Sequence, residues 1–397
     1  MCEKLLSRIG ILGLGKVGWA LANVLARHEF EVLGIEVDPN RLKSLPDVKG
    51  VEKTQPSSEL AFSELESCQV VFCCTQTPSK TNHKFSLQYV KRAIRSVVPL
   101  LGEESVIAVE STVNVGDIAR LSKLWDKIVY NPVMIRQGTI EQDLENPPYV
   151  LIGGDKPNYA ETIRQVWMKV VPEHTPFIVM NARNMEITKL TLNFALTLKI
   201  SMINAIGEFC EQHNGDFYQV IRPFLLDKRL SGDRMWSCGL GFGGPCFPRD
   251  IKNWTAHSKY KELPRVVEQV NKRQVERSVN KILSFGKRNV AVLGLAYKPD
   301  TPLTDESQAL MIAQTLESSG LNVYAYDPLV KPNPSLKECL DHADVVFIAV
   351  PWEQFKTLDD KDFRLNHIII DPWRLLQNKP LRCEYVAYGV SEARLRK

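Results

Sequence analysis

The 397-residue chain lacks the patterns that define several large protein classes. Its nine cysteines, at 2, 68, 73, 74, 210, 238, 246, 339 and 383, include no CxxC pair and no spacing that reads as a zinc site. Reduced thiols in a cytoplasmic protein without a bound metal are therefore expected. No run approaches about 18 uninterrupted apolar residues. The opening MCEKLLSRIGILGLG enters a strand without a cleavage region, so neither a membrane span nor a signal peptide is expected. An excess of one charge is also missing. Fifty basic residues stand against 46 acidic ones without clustering, which argues against a nucleic-acid partner and leaves room for local phosphate sites. The 44% hydrophobic and 24% charged content is that of an ordinary globular chain, long enough for two or three domains.

What is present is a repeated plan. The apolar run RIGIL at 8–12 enters Gly13-Leu-Gly15-Lys16-Val17-Gly18, a helix-like stretch follows to about His28, and EVLGIEVD at 31–38 reads as the next strand. Strand, glycine turn, helix and strand, with the acid Glu36 about twenty residues beyond the turn, is the pattern of a dinucleotide-binding βαβ unit. Pyrophosphate would approach the helix N-terminus closely, and Glu36 would take the ribose hydroxyls and repel a 2′-phosphate, so NAD is expected over NADP. The plan recurs as NVAVLGLAYKPD at 289–300, ALMIAQTLESSG and LNVYAYDP at 321–328, and ADVVFIAVPW at 343–352 echoes CQVVFCCTQTP at 68–78. The second copy keeps only Gly294 at its turn, so it is expected to bind something other than the dinucleotide.

The expected fold is α/β: two Rossmann-like domains with parallel sheets, joined by a long central helix and a small helical middle domain. The expected divisions are 1–183, 184–285 and 286–397. Residues 184–213 carry apolar positions at helical spacing, with Asn214-Gly215 as a stop, and Lys189 and Asn193 would share one face.

The most specific run is GFGGPCFPRD at 241–250. It sets Cys246 in a glycine-rich loop with Arg249 and Asp250 close behind, and a neighbouring cation favours the nucleophilic thiolate. This run resembles the catalytic-cysteine motif of the UDP-glucose/GDP-mannose dehydrogenase family of nucleotide-sugar 6-dehydrogenases. Further segments carry the resemblance in order: Thr77-Pro78, EST at 110–112, NPVMIRQGT at 131–139, MEITKLTLN, DKRLSGDRMW and GLAYKPDT.

The resemblance implies an NAD-dependent oxidoreductase, with a place in polysaccharide biosynthesis, that converts a sugar C6 alcohol to the acid. It places catalysis on Cys246, Lys189, Asn193, Asp250 and Thr112. It places the cofactor on Gly13, Gly15, Lys16, Val17, Gly18, Glu36, Arg41, Thr77, Pro78 and Thr112. Substrate would meet Met134, Ile135, Arg136, Gln137, Lys189, Asn193, Gly241, Phe242, Gly243 and Lys298, and Arg229 would reach it across a homodimer interface of the central domain. Asp250 would act as base, Lys189 and Asn193 would stabilise an oxyanion, and Cys246 would carry a thiohemiacetal and then a thioester.

The departures from the family pattern are Val133 and Gln137 where NPEFLREG has glutamates, Leu303 and Asp305 in KPDTPLTDES, and Arg374 displaced by one residue in Asp371-Pro-Trp-Arg374. Two alternatives remain at this point, a catalytically impaired nucleotide-sugar-binding homologue and a β-hydroxyacid dehydrogenase.

Overall fold

The computed structural model describes residues 7–227, 237–259, 261–331 and 334–390. Contacts divide the chain into two compact units, Met1–Thr191 and Leu192–Lys397.

The first unit is built on β1 (Arg8–Leu12), β2 (Glu31–Ile35), β3 (Val51–Thr54), β4 (Val70–Cys73), β5 (Val106–Val109), β6 (Ile128–Tyr130), β7 (Val150–Gly153) and β8 (Phe177–Met180), which form one sheet in the order β3-β2-β1-β4-β5-β6-β7-β8. The strands from β3 to β6 run parallel, the order of a dinucleotide-binding sheet. Only β7 breaks the pattern, pairing antiparallel with β6 before β8 resumes parallel to β7. Central strands such as VVFC and VIAV are buried throughout, as helices covering both faces require. The core joins Ile9, Ile11 and Phe72 to Leu21 and Leu25 of the helix Lys16–Arg27.

The second unit carries β9 (Asn289–Leu293), β10 (Asn322–Tyr326), β11 (Val345–Ile348), β12 (Ile368–Asp371) and β13 (Glu384–Ala387), an all-parallel sheet in the order β10-β9-β11-β12-β13. Before it come the helices Phe217–Leu226, Phe247–His257 and Glu262–Leu283.

The long helix runs Ala182–Gln212, two residues earlier at its start than the sequence pattern indicates. It ends where Asn214 takes a left-handed φ of 54° and Gly215 N–H closes on the Cys210 carbonyl at 2.7 Å. By length and composition alone this helix could cross a membrane. Near its start, Glu186 accepts the backbone N–H groups of Gly116 at 2.5 Å and Ile118 at 2.7 Å, which ties it to the loop after β5. The division at Thr191 falls inside this helix because its later part shares a core with the second sheet: Ile203 and Cys210 belong to the same buried cluster as Val290 and Ile312.

Candidate active site

In the first unit, the fingerprint turn lies at the carboxyl end of β1, where α/β sheets bind ligands. Gly18 is required by packing, since a Cβ there would stand 2.0 Å from the Gly13 carbonyl oxygen. The helix Lys16–Arg27 begins at Gly15 with no side-chain cap, which leaves its first N–H groups for an anion. The Leu14 peptide is clamped from both sides: its N–H donates to Glu36 Oε2 at 2.8 Å, and its carbonyl accepts from Arg41 Nε at 3.0 Å. Arg41 thus shapes the turn. Farther along the same edge, Thr77 donates its hydroxyl to the Thr112 carbonyl at 2.7 Å, and Ser111 donates to the Thr75 carbonyl at 2.5 Å. These bonds lash the EST segment to the end of β4.

Lys189 joins this unit's residues by donating from Nζ to the Val133 carbonyl at 2.8 Å and to Met134 Sδ at 3.6 Å. The segment from 131 to 139 therefore offers Lys189 its backbone, while the Val133 and Ile135 side chains pack on the hydrophobic core. Arg136 turns to Asp143, with 2.5 Å between Nη2 and Oδ1, and that carboxylate holds the guanidinium pKa above its usual value. Its observed role is to brace the segment.

In the second unit, Cys246 stands at the N-cap of the helix Phe247–His257, with Pro248 in the first turn. The thiol is exposed, and the helix presents its positive end and free N–H groups to an anion there. Asp250 lies one turn on and is 1% exposed. Its carboxylate accepts from Asn193 Nδ2 at 2.6 Å and from Arg249 Nε at 3.2 Å. Phe194, next to Asn193, stacks on Trp254 with ring centroids 4.6 Å apart, which fixes the long helix against the cysteine helix.

The loop before Cys246 is equally constrained. Phe242 donates its N–H to Asn271 Oδ1 at 2.8 Å, and its carbonyl accepts from Asn271 Nδ2 at 2.9 Å and Gln308 Nε2 at 3.0 Å. Gly244 has φ 85°, and a Cβ there would stand 2.5 Å from the Tyr297 ring. Burial pushes the Tyr297 phenol up to about 12, with the nearby Cys246 and Asp305 adding to the shift. Lys298 lies half-buried on the same segment.

The structure thus gathers Asn193, Asp250, Arg249 and Cys246 in one unit, and Lys189 with Val133 and Met134 in the other. Arg229 lies outside the described residues. Arg374 takes a structural place: it is 8% exposed, donates Nε to the Tyr388 carbonyl at 2.9 Å and pairs with Asp216 at 3.1 Å. The sequence reading missed Asn271, Gln308, Tyr297 and Glu110. Only Glu110 carried a local signal, an acid directly after the apolar run VIAV, as Glu36 follows EVLGI.

Comparison with known proteins covers nearly the whole chain. Residues 7–171 match the NAD binding domain of the UDP-glucose/GDP-mannose dehydrogenase family, 183–274 its central domain and 291–378 its UDP binding domain. The UDP-glucose 6-dehydrogenase TuaD of Bacillus subtilis (strain 168) is 28% identical over 399 residues, covering 89% of this chain and 86% of that protein. The UDP-glucose 6-dehydrogenase of Bos taurus is 26% identical, covering 89% and 85%. The structure of a UDP-glucose dehydrogenase from Pyrobaculum islandicum superposes with a TM-score of 0.83 at 25% identity, covering 97% of this chain and 98% of that one. The uncapped helix at Gly15, the close glycine packing and the acid at the end of β2 fit NAD, which is the cofactor of the matched domain. The chain belongs to the UDP-glucose/GDP-mannose dehydrogenase family, and its substrate is a nucleotide sugar.

Proposed function

We propose that the protein oxidises the C6 primary alcohol of a UDP-sugar to the carboxylic acid, consuming two NAD and one water. The observation that carries this reading is the Cys246 helix: an exposed thiol at the N-cap and, one turn later, a buried carboxylate held by Asn193 at 2.6 Å. Bound NAD supplies the acceptor for both hydrides.

The chain's own residues divide the remaining work. Asp250, directly or through a water, takes the C6 hydroxyl proton. Lys189 and Asn193 stabilise the oxyanion by charge and hydrogen bonding. Cys246 attacks the resulting aldehyde to give a thiohemiacetal, whose C–H bond is the source of the second hydride, and the thioester left on sulfur is hydrolysed. A β-hydroxyacid dehydrogenase would need no such cysteine, and the three family matches do not favour it. The UDP binding domain and Lys298 support diphosphate recognition in the second unit.

UDP-glucose is the proposed sugar, on the strength of the similar enzymes from Bacillus subtilis and Bos taurus. A panel of UDP- and GDP-sugars assayed for NADH formation tests this: UDP-glucose should give the highest kcat/KM, and a preference for a GDP-sugar would refute it. Dimerisation through the central helices is part of the same proposal. It rests on the resemblance that sets Arg229 across a homodimer interface of the central domain. Sedimentation should give twice the monomer mass, and a monomer at assay concentration would contradict it.

A further inference from the structure

Asn271 and Gln308 have no step in the proposed mechanism, yet both close on the loop that leads to Cys246. From the helix Glu262–Leu283, Asn271 meets the Phe242 peptide as a neighbouring strand would: Oδ1 accepts its N–H at 2.8 Å and Nδ2 donates to its carbonyl at 2.9 Å. Gln308, the first residue of the helix Gln308–Ser318, donates Nε2 to the same carbonyl at 3.0 Å, so both lone pairs of that oxygen are used. It keeps this bond although its Oε1 is buried without a hydrogen-bond partner among the described residues, and turning the amide over would set two oxygens together. A Cβ at Gly241 would run into Asn271 Oδ1, and one at Gly243 into the Glu306 carbonyl, so the glycines of the loop fit these partners. Gly244 N–H donates to the Asp305 carbonyl at 2.8 Å. The Phe242 ring carries the constraint forward: it is 5% exposed and meets Phe247, the residue after Cys246, edge to face with centroids 6.3 Å apart. Each residue from Gly241 to Gly244 thus has a fixed neighbour, and all of these groups belong to the second unit.

We propose that Asn271, seconded by Gln308, is the positioning residue of the Cys246 nucleophile. This rests on the reading that Cys246 attacks an aldehyde. Cys246 is the N-cap of its helix, where free N–H groups and the positive end of the dipole favour a negative sulfur. That stabilisation falls off within the first turn, so it depends on how the chain enters the helix. Asn271 sets the entry by locking the Phe242 peptide, and the Phe242 ring passes the lock to Phe247. Asparagine suits the task because its amide offers a donor and an acceptor side by side. An ionised aspartate would bring an oxygen against the carbonyl, and a leucine would offer neither group.

The test alkylates Cys246 with iodoacetamide in the substrate-free enzyme, read as added mass on the peptide containing it, in wild type, Asn271→Leu and Asn271→Asp. Asn271→Leu should slow alkylation at neutral pH by about 5-fold, the gain in anion that a helix end typically gives. Dividing the Asn271→Asp rate by the wild-type rate at each pH removes the titration of the thiol itself. That ratio should climb as pH falls from neutral, because the new carboxyl takes up a proton that it can donate to the Phe242 carbonyl, whereas the Asn271→Leu ratio should stay low over the same range. A side chain that only filled space would give no such difference. Gln308→Leu removes one of the bonds to that carbonyl, so it should slow alkylation less, and it carries the test if Asn271→Leu does not fold. With NAD and UDP-glucose, Asn271→Leu should lower kcat while KM for NAD is unchanged. Alkylation needs no substrate, so it stays decisive if the oxidation reading fails. Alkylation of Asn271→Leu, or in its place Gln308→Leu, as fast as in wild type would overturn the proposal, and so would an Asn271→Asp ratio that does not vary with pH.

Discussion

Glu36 shows how a single carboxylate is aimed by the backbone. Oε2 is fixed by Leu14 N–H at 2.8 Å, and Oε1 by Val37 and Asp38 N–H at 2.8 and 3.1 Å. A 2′-phosphate would meet an oriented negative charge, so NADP should be the poorer cofactor by about 1 to 3 kcal/mol, roughly 5- to 150-fold in kcat/KM. Equal values for the two cofactors would contradict this. The thiols illustrate the opposite effect. Burial raises Cys68 and Cys238 to about 12 and Cys339 to about 11, so these stay protonated at neutral pH, whereas Cys246 is exposed at a helix start. The glycine-rich run marked Cys246 in the sequence. Nothing local marked Asn271, because its partner Phe242 lies 29 residues away.

At the scale of elements, periodicity and glycine turns made the strands and the long helix legible. The antiparallel β7 was not legible, since VLIG is a short apolar run that reads alike in either direction. Arg374 was equally opaque. The sequence showed a displaced family arginine, while its partner Asp216 lies 158 residues away at the N-cap of the helix Phe217–Leu226. The Arg374 side chain is 3% exposed and that of Asp216 is 17%, and the guanidinium also covers the Tyr218 ring at 4.6 Å. Removing one member of such a buried pair typically destabilises by about 3 to 5 kcal/mol. Arg374→Ala should therefore lower the denaturant midpoint of the second unit while leaving NAD affinity of the folded protein unchanged. A midpoint equal to that of wild type would show that the pair is replaceable by water.

The whole molecule uses one plan twice, with different chemistry at the two turns. Glu36 is half-exposed at the end of β2. Its counterpart Asp327, at the end of β10, is fully buried and closes its own turn by accepting Leu295 and Ala296 N–H at 2.7 and 3.0 Å and Trp352 Nε1–H at 3.3 Å. Asp327 is thereby closed off from a dinucleotide ribose, in agreement with the match of this half to a UDP binding domain.

In the proposed sequence the first hydride leaves the C6 alcohol and the second leaves a thiohemiacetal on Cys246, and slow thioester hydrolysis is expected because Val133 stands where the resemblance implies a water-activating glutamate. Rapid mixing of enzyme, NAD and the preferred UDP-sugar, followed by acid quench, tests it directly. A burst of nearly two NADH per site should precede a slower steady state, with the sugar's mass carried on the peptide containing Cys246. Acid formation without a burst and without that adduct would contradict it.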